Sequence, residues 1–405
     1  VIRKRLKDAA KWLYYAVRTL VLWLVWPLFV RPSAHPSMLM NADAVRRIAV
    51  IRLDRLGDLV LTLSLLRALK RRWPSAEVTL VCREAIAPLA QAQPEVDRLM
   101  TVRGISGHLG GRAGRLLEQD ERLQLQARLR AECFDLVIDP FNGEELETAL
   151  LAWHSRARYR AGFSTAGRGL FFTHVAVARA ERSFLHQQQA LAAAIGVELD
   201  PEERPRLMVT PAERDAAQAR LRREGLDPTR PIIGIHPGGY YPSQRWPLGR
   251  FLQLARLLER ERQWQVAFFG TRAEERLIAQ IGMKVGQRVA VFFGLELREF
   301  IALMSECRVM VCNNSGPLHL ASALGVPTVS TMGPTDPVRW RPVGQGHLVV
   351  RKPVWCSPCG EGQCPLGTHA CLMAISVEEM LAAVDDQVAD MRRRPASMAL
   401  VGYAA

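Results

Sequence analysis

The sequence predicts two doubly wound α/β domains in tandem. Three observations carry that expectation. Short β-branched runs alternate with amphipathic stretches from Arg47 onward. The alternation breaks at the Pro-, Glu- and Arg-rich DPEERPR (200–206) and then restarts, and a length of 405 residues suits two or three domains. In the first series IAVIRL (48–53) reads as a strand, and Asp58–Arg72 as a helix with Leu59, Leu61, Leu65, Leu66 and Leu69 on one face. VTLVC (78–82) and FDLVIDP (134–140) are further strands, with a helical turn from Glu144. Residues 104–115, Gly-rich and basic without periodicity, predict a mobile loop. In the second series PIIGIHP (231–237), QVAFFG (265–270), RVMVC (308–312) and VPTVSTMG (326–333) are strands. Helices are expected over 211–224, 248–261, 273–281, 296–306 and 317–324. Such alternation gives parallel strands joined by crossover helices, and two sheets facing a central cleft place a ligand at their carboxyl ends. The divisions are 1–44, 45–205, 206–385 and a tail over 386–405.

Charge narrows the company such a protein keeps. Lys and Arg number 54 against 40 Asp and Glu, a net +14, which points to nucleic acid, an acidic membrane surface or phosphorylated substrates. Hydrophobic residues at 49% and charged residues at 23% exclude wholesale disorder and a polytopic membrane protein. Residues 1–31 hold Arg3, Lys4, Arg5, Lys7, Lys11, Arg18 and Arg31 against Asp8 alone, which leaves 14 − 6 = +8 for the rest. The same segment reads WLYYAVRTLVLWLVWPLFV (12–30), interrupted by Arg18 and Thr19 and expected to bend or end near Pro27. It is barely of spanning length. A cleaved signal peptide lacks a small-x-small site after it. The expectation is a membrane-associated helix with Trp12, Tyr14, Tyr15, Trp23 and Trp26 at the headgroup boundary, spanning or lying on the surface; docking on a partner is the bland alternative.

The eight cysteines fall into two sets. Cys82, Cys133, Cys307 and Cys312 stand alone in apolar runs and read as buried thiols. Cys356, Cys359, Cys364 and Cys371 form C-x2-C-x4-C-x6-C, which in a reducing compartment reads as a metal knuckle or a reduced cluster. The first pair suits a tetrahedral zinc or iron site of structural kind, and the second is too loose for a standard zinc ribbon.

Several strand ends carry phosphate-type chemistry. HPGG (236–239), with His236, Gly238 and Gly239, gives backbone that an anion can approach closely. NNSGPLHLASALGVP (313–327) places Ser315, Gly316 and Leu318 at a helix start, where free N–H groups and the helix dipole favour a diphosphate, and Pro317 suits the first turn. An ordinary capped helix explains this run by itself, but GPTDP (333–337), with Thr335 and Asp336, stands at a neighbouring strand end and argues for a nucleotide site. In the first series RLDRLGDLVLTL (52–63) carries one glycine, so a GxGxxG fingerprint and a nicotinamide cofactor are unsupported. Asp58 falls at the helix N-terminus, either satisfying the dipole or serving as a general base toward a hydroxyl.

These four ordered motifs, with QRWPLGRF (244–251) and the CSPC tail, resemble the bacterial heptosyltransferases, glycosyltransferase family 9, over roughly residues 47–385. The resemblance implies a GT-B fold of two Rossmann-like domains, the last helix crossing back to the first domain. It implies inverting transfer of heptose from an ADP-sugar to lipopolysaccharide core at the inner face of the cytoplasmic membrane. The first domain would then bind acceptor and the second the nucleotide sugar. Carried over by position, Gly57–Asp58 makes Asp58 the base. Asn313 to His319 covers the diphosphate motif, with Asn314, Ser315, Gly316, Leu318 and His319 at the donor. The lysine of K-[RH]-W-P is replaced by Gln244, so Arg245 is expected to supply the cation that stabilises the departing ADP, and Asn314 stands where many members have Asp. Thr335 and Asp336 join the donor side. Arg55, His108, Arg112 and Arg115 are candidates for acceptor phosphates or carboxylates, although a solvated basic loop explains the last three equally well. No D-x-D motif is present, so a catalytic metal is not implied.

Three other readings stay open at this point. The fold can serve another nucleotide sugar such as UDP-N-acetylglucosamine, or a protein acceptor, which Gln244 and Asn314 permit. A non-catalytic sugar-nucleotide binder is the second. A nucleic-acid protein with a zinc ribbon is the third, and it is disfavoured because 353–375 contains no Lys or Arg.

Overall fold

The computed structural model describes residues 2–29, 45–104, 116–178, 183–200, 203–274 and 288–393. The chain divides into two units, Val1–Glu203 and Arg204–Ala405.

Unit 1 holds a six-stranded parallel sheet. Its strands are β1 (Arg47–Arg52), β2 (Glu77–Arg83), β3 (Arg98–Val102), β4 (Leu136–Asp139), β5 (Tyr159–Phe163) and β6 (His174–Ala176), in the order β3-β2-β1-β4-β5-β6. Ile48 pairs with Leu136 and Val50 with Ile138, so the order of the sheet reverses between β1 and β4. Strands buried on both faces read as continuous apolar runs, which is why β1 and β4 were legible while the short YRAGF and HVA of β5 and β6 were not. Unit 2 repeats the plan. Strands β7 (Ile232–His236), β8 (Gln265–Gly270), β9 (Val289–Phe293), β10 (Val309–Asn313), β11 (Thr328–Thr331) and β12 (His347–Val350) lie in the order β12-β11-β10-β7-β8-β9, with the reversal between β7 and β10.

The helices that position the candidate sites follow the strands at these reversal points. Helix α2 (Leu56–Arg72) leaves β1, and the helix Gly316–Ala323 leaves β10. In both units the strand ends at the reversal are where doubly wound sheets take ligands. The helix expected over 273–281 lies mostly outside the described residues, as does the loop at 105–115.

The C-terminal helix Val377–Arg393 packs on the helix Leu248–Arg260 and on β10 to β12, so it belongs to unit 2, and it runs beyond residue 385 into the stretch read as a tail. Its Met380, Val384 and Val388 join Phe251, Leu254, Leu258, Ile235 and Val311 in one core, each such side chain contributing about 1.5–3 kcal/mol.

Helix α1 (Ile2–Phe29) continues through Pro27 rather than ending there. One face is docked on unit 1. The Arg18 guanidinium donates to the Glu144 and Ala166 carbonyls at 2.6 Å each, and Lys11 pairs with Glu144 at 2.9 Å. Thr19 and Leu22 lie over Gly167, where φ is +85° and a Cβ would stand 3.0 Å from Leu22 Cδ1. The opposite face carries Trp12, Leu13, Val17, Leu20, Val21 and Leu24, all exposed, and Trp12 is 72% exposed. No described helix is long and apolar enough to cross a membrane.

One cysteine departs from expectation. Cys82, Cys307 and Cys312 are buried and burial pushes all three thiols up, Cys82 and Cys312 to about 12. Cys133 is exposed, because it sits at φ +49° in the turn after the helix Gln119–Ala131 and its side chain leaves the core.

Candidate active site

In unit 1 the chemistry gathers at the ends of β1 and β4. Asp58 lies in the first turn of α2, 8% exposed, with Arg55 at the N-cap. Arg52, the last residue of β1, is buried over the Phe184 ring and makes ion pairs with Asp54 at 3.1 Å and Asp58 at 3.5 Å. Two carboxylates thus share one guanidinium. Burial pushes the Asp54 carboxyl up to about 7; Arg52 opposes this, and the neighbouring charges of Asp58 and Asp139 add to it. Asp139, at the end of β4, pairs with the wholly buried Arg168, which also donates to the Glu145 carbonyl. Sequence reasoning missed Arg52, Asp54, Asp139 and Arg168. Their signal was charge inside or beside apolar strand runs, which is costly unless paired. His108, Arg112 and Arg115 lie outside the described residues.

In unit 2 the candidate donor residues form one hydrogen-bonded frame. His236 ends β7 and is buried, and burial lowers its basicity. A side chain at Gly238 would force its neighbours to move: a Cβ there would stand 2.6 Å from Glu274 Oε1 and 2.7 Å from His236 Cε1. Beside it Gly239 accepts, through its carbonyl, a hydrogen bond from Arg245 Nε at 2.8 Å, so the exposed Arg245 folds onto the HPGG loop. Gln244, in the lysine position, donates to Thr335 Oγ1 at 3.2 Å.

The residue that joins these loops is Asn313, fully buried at the end of β10. Its Nδ2 donates to the carbonyls of Pro237 at 2.7 Å and Gly238 at 3.0 Å. Its Oδ1 accepts from the Trp246 amide at 2.9 Å and from Thr331 Oγ1 at 2.8 Å. One amide side chain therefore fixes the HPGG turn, the QRWP turn and the end of β11. Its place in the sequence motif was visible; its partners, on two distant turns and at the end of β11, were not.

The helix Gly316–Ala323 starts at Ser315, whose backbone is extended. The amides of Ser315 and Gly316 open this helix end, where the dipole favours an anion. Leu318 does not share that role, since its amide donates to the Ser315 carbonyl at 3.0 Å in the tightened first turn. Asn314 Nδ2 donates to the Trp340 carbonyl at 3.2 Å, and His319 is buried with its ring 6.4 Å from that of Trp340. Asp336 caps the turn Pro337–Trp340 by accepting from the Val338 and Arg339 amides, so its Oδ1 is engaged.

The four clustered cysteines lie in the segment that follows β12. Cys356, Cys359, Cys364 and Cys371, with His369, line one cavity together with Ser243 and Pro334. Burial raises the Cys364 thiol, and the amides of His369, Leu366, Gly367 and Thr368 outweigh it, so the thiol sits below its ordinary value. Among the described residues no group of three His, Cys, Asp or Glu side chains is arranged to hold an ion with the side chains as they stand.

Two parallel six-stranded units of this order, each with polar residues at the strand-order reversal, have the architecture of the GT-B fold. The structure of E. coli ADP-heptose lps heptosyltransferase II matches with a TM-score of 0.69 at 23% identity, covering 85% of this chain and 99% of that one. The chain belongs to glycosyltransferase family 9 (heptosyltransferase), whose model matches residues 122–370. It is 26% identical to lipopolysaccharide heptosyltransferase 2 of Escherichia coli over 83% of this chain and 96% of that protein. Lipooligosaccharide heptosyltransferase 2 of Haemophilus ducreyi is also 26% identical, over 75% of this chain and 88% of the relative.

Proposed function

We propose that this glycosyltransferase moves a heptose from ADP-heptose to a lipopolysaccharide core acceptor. The observation that carries the donor half is the frame around Asn313, which holds the HPGG turn and the Trp246 turn beside the open helix start at Ser315 and Gly316. Relatives named for lipopolysaccharide and lipooligosaccharide heptosyl transfer support the sugar and the acceptor.

The reaction is a single displacement with inversion. In unit 1 Asp58 takes the proton of the acceptor hydroxyl, and that oxygen attacks the anomeric carbon. The bond from the anomeric carbon to the diphosphate oxygen breaks, and its electron pair leaves with ADP. Amides at Ser315 and Gly316 and the Arg245 guanidinium stabilise the charge that grows on the diphosphate. Arg52 pairs with Asp58 at 3.5 Å and so positions its carboxylate.

The exposed apolar face of α1, next to the basic residues Arg3, Lys4, Arg5 and Lys7 of the sequence, supports work at the inner-membrane surface on a lipid-linked acceptor. A donor screen read by product mass tests the whole reading. The expected product is a Kdo-lipid A species heavier by one heptose from ADP-heptose alone. Turnover of a UDP-sugar with ADP-heptose ignored would overturn it.

A further inference from the structure

The loop that follows β4, residues 140–146, leaves the carboxyl end of the unit 1 sheet beside its strand-order reversal, where doubly wound sheets bind ligands. A chain of contacts joins this loop to Asp58. Asn142 Nδ2 donates to Gln187 Oε1 on the helix Phe184–Ala194. Phe184 lies on the same helix three residues back, a spacing that shares one face, and its ring centroid is 5.2 Å from Arg52 Cζ. Arg52 in turn pairs with Asp58 at 3.5 Å.

Two arginines grip neighbouring carbonyls of the loop, one from inside the unit and one from α1. Arg168, wholly buried, donates to the Glu145 carbonyl, to Asp139 just before the loop, and to Thr148 Oγ1 at 3.3 Å just after it. Arg18 Nη2 donates to the Glu144 carbonyl at 2.6 Å. The same nitrogen donates to the Ala166 carbonyl at 2.6 Å, two residues before Arg168. That carbonyl is presented by an uncommon turn, with φ +51° at Ala166 and +85° at Gly167. The Tyr15 ring, one helical turn back, steadies the Arg18 guanidinium from 4.5 Å. Lys11 adds a pair with the Glu144 carboxylate at 2.9 Å, but both partners are solvated and the pair contributes little.

A bond between helix and loop acts in both directions, so it stabilises the loop as much as it stabilises the docked helix. We propose that loop 140–146 forms part of the acceptor site, and that Arg18 of α1 is the positioning residue that holds this loop in shape for the acceptor. The link to the acceptor rests on the reading of unit 1 as the acceptor unit with Asp58 as base; the grip of Arg18 on the loop does not. Arg18 touches no reacting atom. Without it the loop loses a charge-assisted bond and its tie to the turn at Ala166, and the acceptor must then order on binding what the helix had already fixed.

The full chain and its Arg18→Ala and Arg18→Lys variants give the test. The acceptor is deacylated Kdo-lipid A, bare or carrying one heptose, which needs no bilayer to be reached. Arg18→Ala is expected to raise the acceptor KM about tenfold, with the ADP-heptose KM changed by less than about twofold. One nitrogen makes both bonds, so an ammonium can replace it, and Arg18→Lys is expected to recover most of the acceptor affinity. Cleavage after Glu144 and Glu145 by a glutamate-specific protease, a readout independent of activity, is expected to become about tenfold faster in Arg18→Ala and to stay slow in Arg18→Lys. An unchanged acceptor KM in Arg18→Ala would overturn the proposal. So would a parallel rise in both KM values, which marks damage to the whole fold. Faster cleavage in Arg18→Ala, with no transfer to either acceptor by the wild type, supports the grip on the loop and refutes the acceptor reading.

Discussion

Replacing Asn313 by Ala removes the side chain on which the HPGG turn, the QRWP turn and the end of β11 meet. Four hydrogen bonds of 2.7–3.0 Å are lost at a fully buried position. Each net bond of this kind is worth about 1 kcal/mol, so the opening of this region becomes easier by about 4 kcal/mol. The sharpest reporter is the Trp246 amide, which donates to Asn313 Oδ1 and belongs to a residue only 1% exposed. Native-state hydrogen exchange at that amide is expected to lose about a thousandfold of protection, since 1.4 kcal/mol corresponds to a factor of ten. Asn313→Asp separates the two halves of the role. It keeps an acceptor for Trp246 and Thr331 but sets a carboxylate against the Pro237 and Gly238 carbonyls. Trp246 protection should survive in that variant while ADP affinity falls. A loss of protection below about tenfold in Asn313→Ala would refute the reasoning, because the loops would then be held by something other than this amide.

Other outcomes follow from the same geometry. Asp58→Asn should lower turnover by about 10²–10⁴-fold while ADP affinity measured by calorimetry is unchanged, and unchanged turnover would remove Asp58 as the base. Asp54 has a folded-state pKa near 7, above its ordinary value, so the folded chain binds more protons than the unfolded chain between about pH 4 and pH 7 and loses stability as the pH rises through that window. Asp54→Asn should therefore gain on the wild type in urea midpoint across that range, with the gap constant above it; parallel curves would refute the burial of a protonated Asp54. Trp12→Glu with Trp23→Glu should reduce co-sedimentation with anionic vesicles without changing the thermal midpoint, since both side chains stand free of the docked face.

The backbone of both units was legible because parallel strands are apolar on both faces and because Gly, Pro and Asn punctuate the strand ends. IAVIRL and QVAFFG announce themselves; HLVV of β12 and HVA of β6 are too short and too polar to do so. The candidate donor loops were legible for the same reason, as HPGG and NNSGP are unusual in local chemistry. What no local pattern shows is pairing across sequence distance. Arg52 with Asp54 and Asp58, and Asp139 with Arg168, become intelligible only when β1 lies beside β4. Likewise the motif alone leaves the amide of Leu318 open, whereas in the folded first turn it donates to the Ser315 carbonyl. The motif places Asp336 on the donor side, and only the folded chain shows that its carboxylate also caps the turn Pro337–Trp340.

The docking of α1 through Arg18 has a kinetic meaning. If the exposed face of α1 rests on a bilayer, as proposed above, a slack linker would let the catalytic body tumble above it. Two bonds from Arg18 to the Glu144 and Ala166 carbonyls remove that freedom, so unit 1 adopts the tilt of the helix. For an acceptor that is itself anchored in lipid, the search becomes lateral diffusion of two bodies in a plane. Encounter frequency then depends on their number per area of leaflet, and a fixed tilt makes a larger fraction of encounters productive.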